Sequence, residues 1–573
     1  MARLAIPHLQ PTANSAQLIV KGQPFLMLPA ELQNSSLSSA DYMSSVWSDL
    51  KAANFNTVLG SVSWDAIEPE EGKFDFSELD KIILDARQHG LHLVLLWFGS
   101  YKNATSSYVP NWVKSNPIRF TRVQILDNDR RLKATCTISP FCRAAWEADA
   151  KAFSTLMRHI KEIDAAHSTV LMTQVENECG VLGDSRDRSE LADKAFQQPV
   201  PLELLAHLAG KQQLHPEFEK RWPRFRETVD LEHSKTWEQT FGPGNTADEM
   251  FMVHALAAYV GKVAQAGKDE YPIPFFANVW LNTDDESILD VDGVPEDLRL
   301  GIVAAGGSKP GEYPSGSPCP HTLDLWKYCA PALDLWKYCA PALDFISPDV
   351  YLQDYEWACK QYRYENQPLL IPEQRADGRG SRQAWLAYGS YGALGCSPFG
   401  IDTVAAVENE FKKPYGLLAK MSNHILTAQA SHPEDMFGFF FDEPSLTARD
   451  SWIRSMGNFS LRVERSFTFG KKTPGYGIII HRGQGRFLLI GEGFQVRFES
   501  LNPDTTYTGI LEFRELNASP EGQLSEGRRL NGDERMNGDV AMMPSETPDY
   551  GGYPIRVTVP SRTCIAECLA YSI

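Results

Sequence analysis

The sequence predicts an α/β chain: a (β/α)8 TIM barrel followed by a C-terminal all-β sandwich domain. Three observations carry this. Eight short apolar segments alternate with helix-like segments between about residues 25 and 400, the pattern of repeated βα units around one sheet. No G-x-G-x-x-G string follows the first of them, which counts against the runner-up, an open doubly wound sheet. Past about residue 430 the helical period gives way to short apolar runs separated by Gly, Pro, Asn and Asp, as in a layered β structure. The chain is accordingly divided into residues 1–425 and 426–573.

The expected barrel strands are Phe25–Glu31, Asn56–Ser61, Leu91–Trp97, Ser168–Glu176, Ile273–Trp280, Leu343–Tyr351, Pro368–Glu373 and Ala393–Pro398. Each is largely apolar, as strands covered on both faces must be. The expected helices are Ala40–Ala53, Phe76–His89, Phe141–Ala165, Ala247–Ala266, Thr322–Ala342 and Arg382–Tyr391. Residues 181–245, after the fourth strand, form a polar, charged, helix-prone insertion on the face where barrel active sites lie. It reads equally as a surface excursion or as a wall over a pocket. Leu323–Ala332 and Leu333–Ala342 repeat the decapeptide LDLWKYCAPA. Ten residues leave a helix face roughly 80° out of phase, and Pro331 and Pro341 interrupt a helix. One copy is expected to lead into the sixth strand and the other to bulge outward. In the C-terminal part the expected strands are Tyr476–His481, Gly485–Gly491, Gly493–Glu499, Thr508–Arg514 and Ile555–Val559, with Asn517–Asp549 rich in turns.

Composition narrows the function. With 43% hydrophobic and 22% charged residues the 573-residue chain is globular. A net charge of −18 argues against nucleic acid as a partner. The most apolar runs, such as Leu91–Phe98, fall well short of the roughly 20 residues of a membrane span. The N-terminus lacks a signal-peptide core. The expectation is a cytoplasmic protein without membrane contact, with its ten scattered cysteines as free thiols and the sequons at Asn34, Asn103, Asn458 and Asn517 unused. A homo-oligomer is left open. No HExxH string or cysteine cluster marks a metal site, so neither metal nor cofactor is expected.

Three segments carry chemistry. Gln174–Gly180 (QVENECG) ends an apolar strand with Glu176 and Glu178, which alternation places on one side. Two close carboxyls raise each other's pKa, which suits a general acid, although a salt-bridged structural pair gives the same pattern. Leu369–Arg375 (LLIPEQR) ends another strand with Glu373 and, two residues on, Arg375. A neighbouring guanidinium keeps a carboxylate ionised, as a nucleophile must be; an ordinary ion pair is the alternative. Trp64–Phe76 (WDAIEPEEGKFDF) follows the second strand. There Trp64 could floor a sugar site, whereas Glu68-Pro69 and Gly72 read as loop-shaping residues.

Together these residues resemble the retaining glycoside hydrolases built on TIM barrels. QVENECG is similar to the QxENEYG signature of the family 35 β-galactosidases, with Cys179 at the usual Tyr. WFGSYKN (Trp97–Asn103), SSYVPNWV (Ser106–Val113) and GEGFQVRF (Gly491–Phe498) resemble the microbial branch of that family. The resemblance implies Glu178 as acid/base, Asn177 on the sugar 2-hydroxyl, Glu373 as nucleophile and Tyr351 bonded to it. It also implies Glu31, Asn34, Lys102 and Asn103 as hydroxyl readers, with Trp64, Trp97, Asn278 and Trp280 lining the sugar site. Arg375 or another cation would hold Glu373 charged, and Glu176 would push the pKa of Glu178 upward. The implied activity is a retaining exo-β-galactosidase acting on terminal β-D-galactosyl residues of oligosaccharides. Another retaining β-glycosidase (a β-glucosidase or β-mannosidase) and a non-catalytic carbohydrate-binding barrel are the alternatives.

Overall fold

A computed structural model describes residues 6–281 except 128 and 234, 310–319, 332–444, 449–466, and 472–573 except 551 and 553. Eight parallel strands follow one another around a ring: β1 (Pro29–Glu31), β2 (Thr57–Ser63), β3 (His92–Lys102), β4 (Val170–Asn177), β5 (Phe275–Trp280), β6 (Phe345–Asp349), β7 (Leu370–Gln374) and β8 (Gly395–Pro398). Six pair in the order β6-β5-β4-β3-β2-β1, and β7 pairs with β8. A parallel bridge Val350–Gln374 joins β6 to β7, and the Met27 N–H donates to Leu394 O at 3.2 Å across the last gap. The sheet is thereby closed into a barrel, and no edge of it is left bare.

Alternation along the strands builds two cores. Val94, Leu96 and Phe98 of β3 point inward and meet Leu59, Met172, Phe276, Phe345 and Leu370 inside the ring. Leu93, Leu95 and Trp97 point outward into the helix layer. An N-terminal strand, Ala16–Val20, inserts Leu18 and Val20 into the inner core. The helices Ser77–Gln88, Arg143–Asp164, Asn245–Glu270 and Gly378–Ser390 fall where the periodicity predicts them. The expected Ala40–Ala53 is two short helices, Ala40–Ser44 and Trp47–Ala52. A hairpin, Arg122–Leu126 with Leu132–Ile138, and the helices Tyr355–Tyr362 and Lys412–Ser431 were not predicted. The last of these runs through the expected domain boundary between residues 425 and 426. The second decapeptide copy is a helix, Leu333–Cys339, that stops before Pro341 and leads into β6. The first copy, apart from Ala332, lies outside the described residues.

The C-terminal part is two antiparallel sheets. One has the order 436–441, 475–481, 486–492, 565–572, 508–518, 524–529; the other 451–456, 459–465, 494–500, 540–543, 536–537. Expected strand Ile555–Val559 is not one: Ile555 is exposed and the segment belongs to neither sheet, its Thr558 and Val559 bonding Tyr550, Glu534 and Arg535 instead. Ile565–Ser572, whose buried positions alternate, takes the interior place instead. Asn517–Asp549 contributes Leu524–Arg529, Met536–Asn537 and Val540–Met543. The helix after β7 seats on the first sheet: the Trp385 and Tyr476 rings lie 4.8 Å apart, and a Cβ on Gly389 would come within 2.5 Å of Gly438. Every described cysteine is a free thiol, and no described helix is long and apolar enough to cross a membrane.

Candidate active site

The C-terminal ends of β1, β3, β4, β5, β6 and β7 converge on a knot of carboxyls. One oxygen each of Glu178, Asp349 and Glu373 lies within 4.8 Å of the other two, and all three residues are buried. Asn278 on β5 ties them together. Its Nδ2 donates to Asp349 Oδ2 at 2.8 Å, lies 3.1 Å from Asn177 Oδ1 and 3.3 Å from Glu373 Oε1, and its Oδ1 accepts the Glu178 N–H at 2.9 Å. The Tyr351 hydroxyl donates to Glu373 Oε2 at 2.8 Å. Asn177 donates to Asn103 Oδ1 at 3.2 Å. Glu31 completes the acidic face: it is 1% exposed, and neither carboxyl oxygen has a hydrogen-bond partner.

Lys102 is the cation among these acids. Burial works against its ammonium, yet Glu373, Glu178, Glu31 and Asp349 together hold its pKa above the ordinary lysine value. Its Nζ also lies 4.8 Å from the centre of the Phe98 ring. One ammonium cannot balance four carboxylates. Burial first, then the Glu373 charge, raises Glu178 to about 7. The same causes, in the same order, push Asp349 and Glu31 well above the carboxylate range. Burial and then Glu373 likewise raise the Tyr351 phenol, which keeps its proton to donate. The site thus gathers acids shifted toward their protonated forms, and hydrogen-bond donors, around Glu373. The three clustered carboxyls are close enough to share a cation, but Lys102 already places a positive charge there. A second such set, His432, Glu434 and Asp435, lies at the surface.

Several sequence-based expectations are corrected here. Trp97 points out of the barrel: it is fully buried, donates to Asp149 at 2.9 Å and packs on Phe153. Trp64 is also fully buried, donating to Glu68 at 2.7 Å and set edge-on to Trp112. A ring with no open face cannot stack on a sugar. Glu68 also accepts the Gly72 N–H at 2.7 Å, so it shapes the loop as expected. Glu176 does not stand beside Glu178. Positive φ at both residues, 62° and 45°, breaks the alternation, and Glu176 turns to accept the Ser100 and Tyr101 N–H groups beside Asp149. Glu373, not Glu176, is the carboxylate that acts on Glu178. Arg375 is paired with Asp377, so the cation facing Glu373 is Lys102.

Of the other expected residues, Glu31, Lys102, Asn177, Asn278 and Tyr351 join the carboxyl knot. Asn103 is exposed on its rim, and Trp280 is half-buried at the end of β5, in register with Asp349. Asn34 is half-buried after β1 with its Oδ1 buried and unpartnered. Asp349 is the residue that sequence reasoning missed. Its signal was present: a carboxyl at the end of β6, two residues before Tyr351, as Glu373 ends β7.

The insertion braces this site from behind. Val181 pairs with Ser315, Gly183 N–H donates to Gly311 O at 2.8 Å, and a Cβ on Gly180 would come within 2.2 Å of Pro314. The loops after β4 and β5 are therefore locked together just past Glu178. The rest of the insertion buries Leu204, Leu208, Phe218, Trp237 and Phe241 in the outer core.

Comparison with known proteins gives the same direction. A glycoside hydrolase family 42 model, described as β-galactosidase, matches residues 38–221, and a domain of unknown function, DUF5597, matches residues 411–542. The matched barrel stretch contains Asn177 and Glu178 and ends before Asn278, Asp349, Tyr351 and Glu373. The family whose model matches is thus 42, not the family 35 that the QVENECG string suggested. Mouse (Mus musculus) β-galactosidase-1-like protein 3 is 32% identical over 169 residues, 28% of this chain and 23% of its own. A β-galactosidase of Xanthomonas manihotis is 27% identical over 201 residues, 34% and 30% of the two chains. The chain thus spans less than a third of the length of these relatives. The crystal structure of a β-galactosidase from Bacillus circulans sp. alkalophilus is 14% identical, covering 70% of this chain and 57% of that one with a TM-score of 0.44. The family 42 match falls on the barrel and the DUF5597 match on the C-terminal part with the helix that leads into it.

Proposed function

We propose that the chain is a retaining exo-β-galactosidase that releases terminal non-reducing β-D-galactosyl residues by double displacement. The observation that carries this reading is the spacing of Glu178 and Glu373, whose nearest carboxyl oxygens are within 4.8 Å. Retaining glycosidases hold their carboxyls about 5–5.5 Å apart, whereas inverting ones need about 6.5–9.5 Å to admit a water.

In this reading Glu373 attacks the anomeric carbon as the bond to the leaving oxygen breaks. Tyr351, Asn278 and Lys102 hold the attacking carboxylate in place. Glu178 passes its proton to the leaving oxygen, and a covalent glycosyl-enzyme forms. Glu178, now a carboxylate, takes a proton from water, which displaces Glu373 and releases the sugar with its configuration kept. Glu178, raised to about 7, is about half protonated at neutral pH and mostly protonated in mildly acidic solution, which suits this double role. Asn177, beside Asn103 and Asn278, is positioned for the 2-hydroxyl, and the unpartnered Glu31 carboxyl for another hydroxyl. Residues 1–425 would carry the reaction and 426–573 would back the helix that follows β7.

Nitrophenyl β-galactoside, β-glucoside and β-mannoside test the reading directly. We expect release from the galactoside first, and NMR of the earliest product to show the β anomer. Absence of nitrophenol from the galactoside, or an α anomer as first product, ends the proposal.

A further inference from the structure

Asp349 holds a place in the site that the two-carboxyl mechanism does not use. It is 2% exposed at the end of β6. Its Oδ2 accepts from Asn278, while its Oδ1 is buried without an N–H or hydroxyl donor. A carboxyl oxygen of Asp349 lies within 4.8 Å of one on the buried Glu178 carboxyl. Two carboxyls can share a hydrogen bond only when one carries a proton. The charges around Asp349 say that protons must be kept. Glu373 from β7, Glu178 past β4 and Glu31 from β1 all act on it, and Lys102 from β3 is the cation that faces them among the described residues. With Lys102 positive and Glu373 negative the site is neutral, so each further ionisation leaves a buried, unbalanced charge.

We propose that Asp349 enters the reaction as a neutral carboxylic acid whose O–H stabilises the Glu178 carboxylate that forms as the leaving oxygen is protonated. This rests on the function proposed above. In the first step the proton moves from Glu178 to the glycosidic oxygen, the anomeric carbon–oxygen bond breaks, and the bond to Glu373 forms. The Asp349 proton stays on Asp349, and its hydrogen bond strengthens as Glu178 becomes charged. In the second step Glu178 recovers a proton from water and that bond relaxes. Asp349 is a positioning residue for the acid, and it acts only where acid assistance is needed.

The leaving group separates this role from a structural one. Phenyl β-galactoside needs its leaving oxygen protonated; dinitrophenyl β-galactoside scarcely does. Asp349→Leu, which has no donor, is expected to lower kcat/KM by about 10²-fold on the phenyl substrate and by less than about threefold on the dinitrophenyl substrate. Asp349→Asn keeps a donor toward Glu178 and an acceptor for Asn278. It should recover roughly tenfold of that loss and leave the basic limb of the pH profile in place. Equal losses on both substrates, in Leu and Asn variants alike, would make Asp349 a structural or sugar-binding group and overturn the proposal. So would a basic limb that moves to lower pH in Asp349→Asn, which is the signature of a lost negative charge. A wild-type chain inactive on both galactosides refutes the proposed function itself, not the role of Asp349.

Discussion

Two buried groups of acids lie on the same face of the barrel and are handled in opposite ways. Behind the site, Asp184 takes the Arg188 guanidinium at 2.8 Å and the N–H groups of Leu126 and Ser185, and Asp248 meets Arg186 at 3.2 Å and Arg188 at 3.0 Å. Burial would raise Asp184, but Arg188 and the backbone donors outweigh it and hold its pKa below the ordinary aspartate value. In the site itself Glu31, Glu178 and Asp349 are all raised, and oxygens of Glu31 and Asp349 are left without donors. A protein satisfies the acids that hold it together. It leaves unsatisfied those that must change partner or charge during a reaction.

The comparison can be broken at several points. The largest expected effect is that of Glu373→Gln, which should lower kcat by more than about 10²-fold while the thermal midpoint moves little. A variant that keeps its rate shows that Glu373 is not the nucleophile. Lys102→Met removes the cation of the site and should cost about 10²-fold in kcat/KM. Because Lys102 lowers the pKa of Glu178, the basic limb should also move above its wild-type position near 7. A limb that stays put would mean that Lys102 does not act on the acid. Arg188→Met leaves Asp184 with backbone donors but no cation and Asp248 with Arg186 alone, and should cost about 1–3 kcal/mol of stability in denaturant titration. The folded fraction should keep its rate within about threefold; a large rate loss without destabilisation would merge the two clusters into one functional unit.

The smallest effect is a stability profile. Glu249, buried against Ser315 and Gly316 with bonds of 2.7 and 3.0 Å, is raised to about 7, chiefly by burial. The native state then binds a proton that the unfolded chain, titrating near 4.3, has lost. That stability is full below about pH 4 and is lost as pH rises through 7. Glu249→Gln should flatten the fall by up to about 3 kcal/mol between pH 4 and pH 8. Parallel curves for variant and wild type would mean that Glu249 keeps its charge when buried.

Much of the barrel was legible because each strand must be apolar on both faces. The observed β3 and β4 start within two residues of their expected positions. The side-chain assignments that failed did so at identifiable places. Trp97 follows the outward parity of Leu93 and Leu95 and could have been excluded on that ground. Glu176 could not, because the positive φ at 176 and 178 reverses the expected side. The hairpin 122–138 escaped although Leu132–Ile138 (LKATCTI) alternates apolar with polar residues: the strand is largely exposed and offers no continuous apolar run of the kind that marks the barrel strands.

The order of strands and helices, and the fact that Glu178 and Glu373 each close a strand, were set by the order of residues alone, since periodicity and strand ends are local properties. Which carboxyl faces which was decided only by closing the ring. Positions 31, 102, 178, 349 and 373 come from five strands or their ends, and the strength of a charge on its neighbour depends on ångströms through a dry interior, not on separation along the chain. For that reason the action of Glu373 on Glu178, Asp349 and Lys102 became visible only in three dimensions.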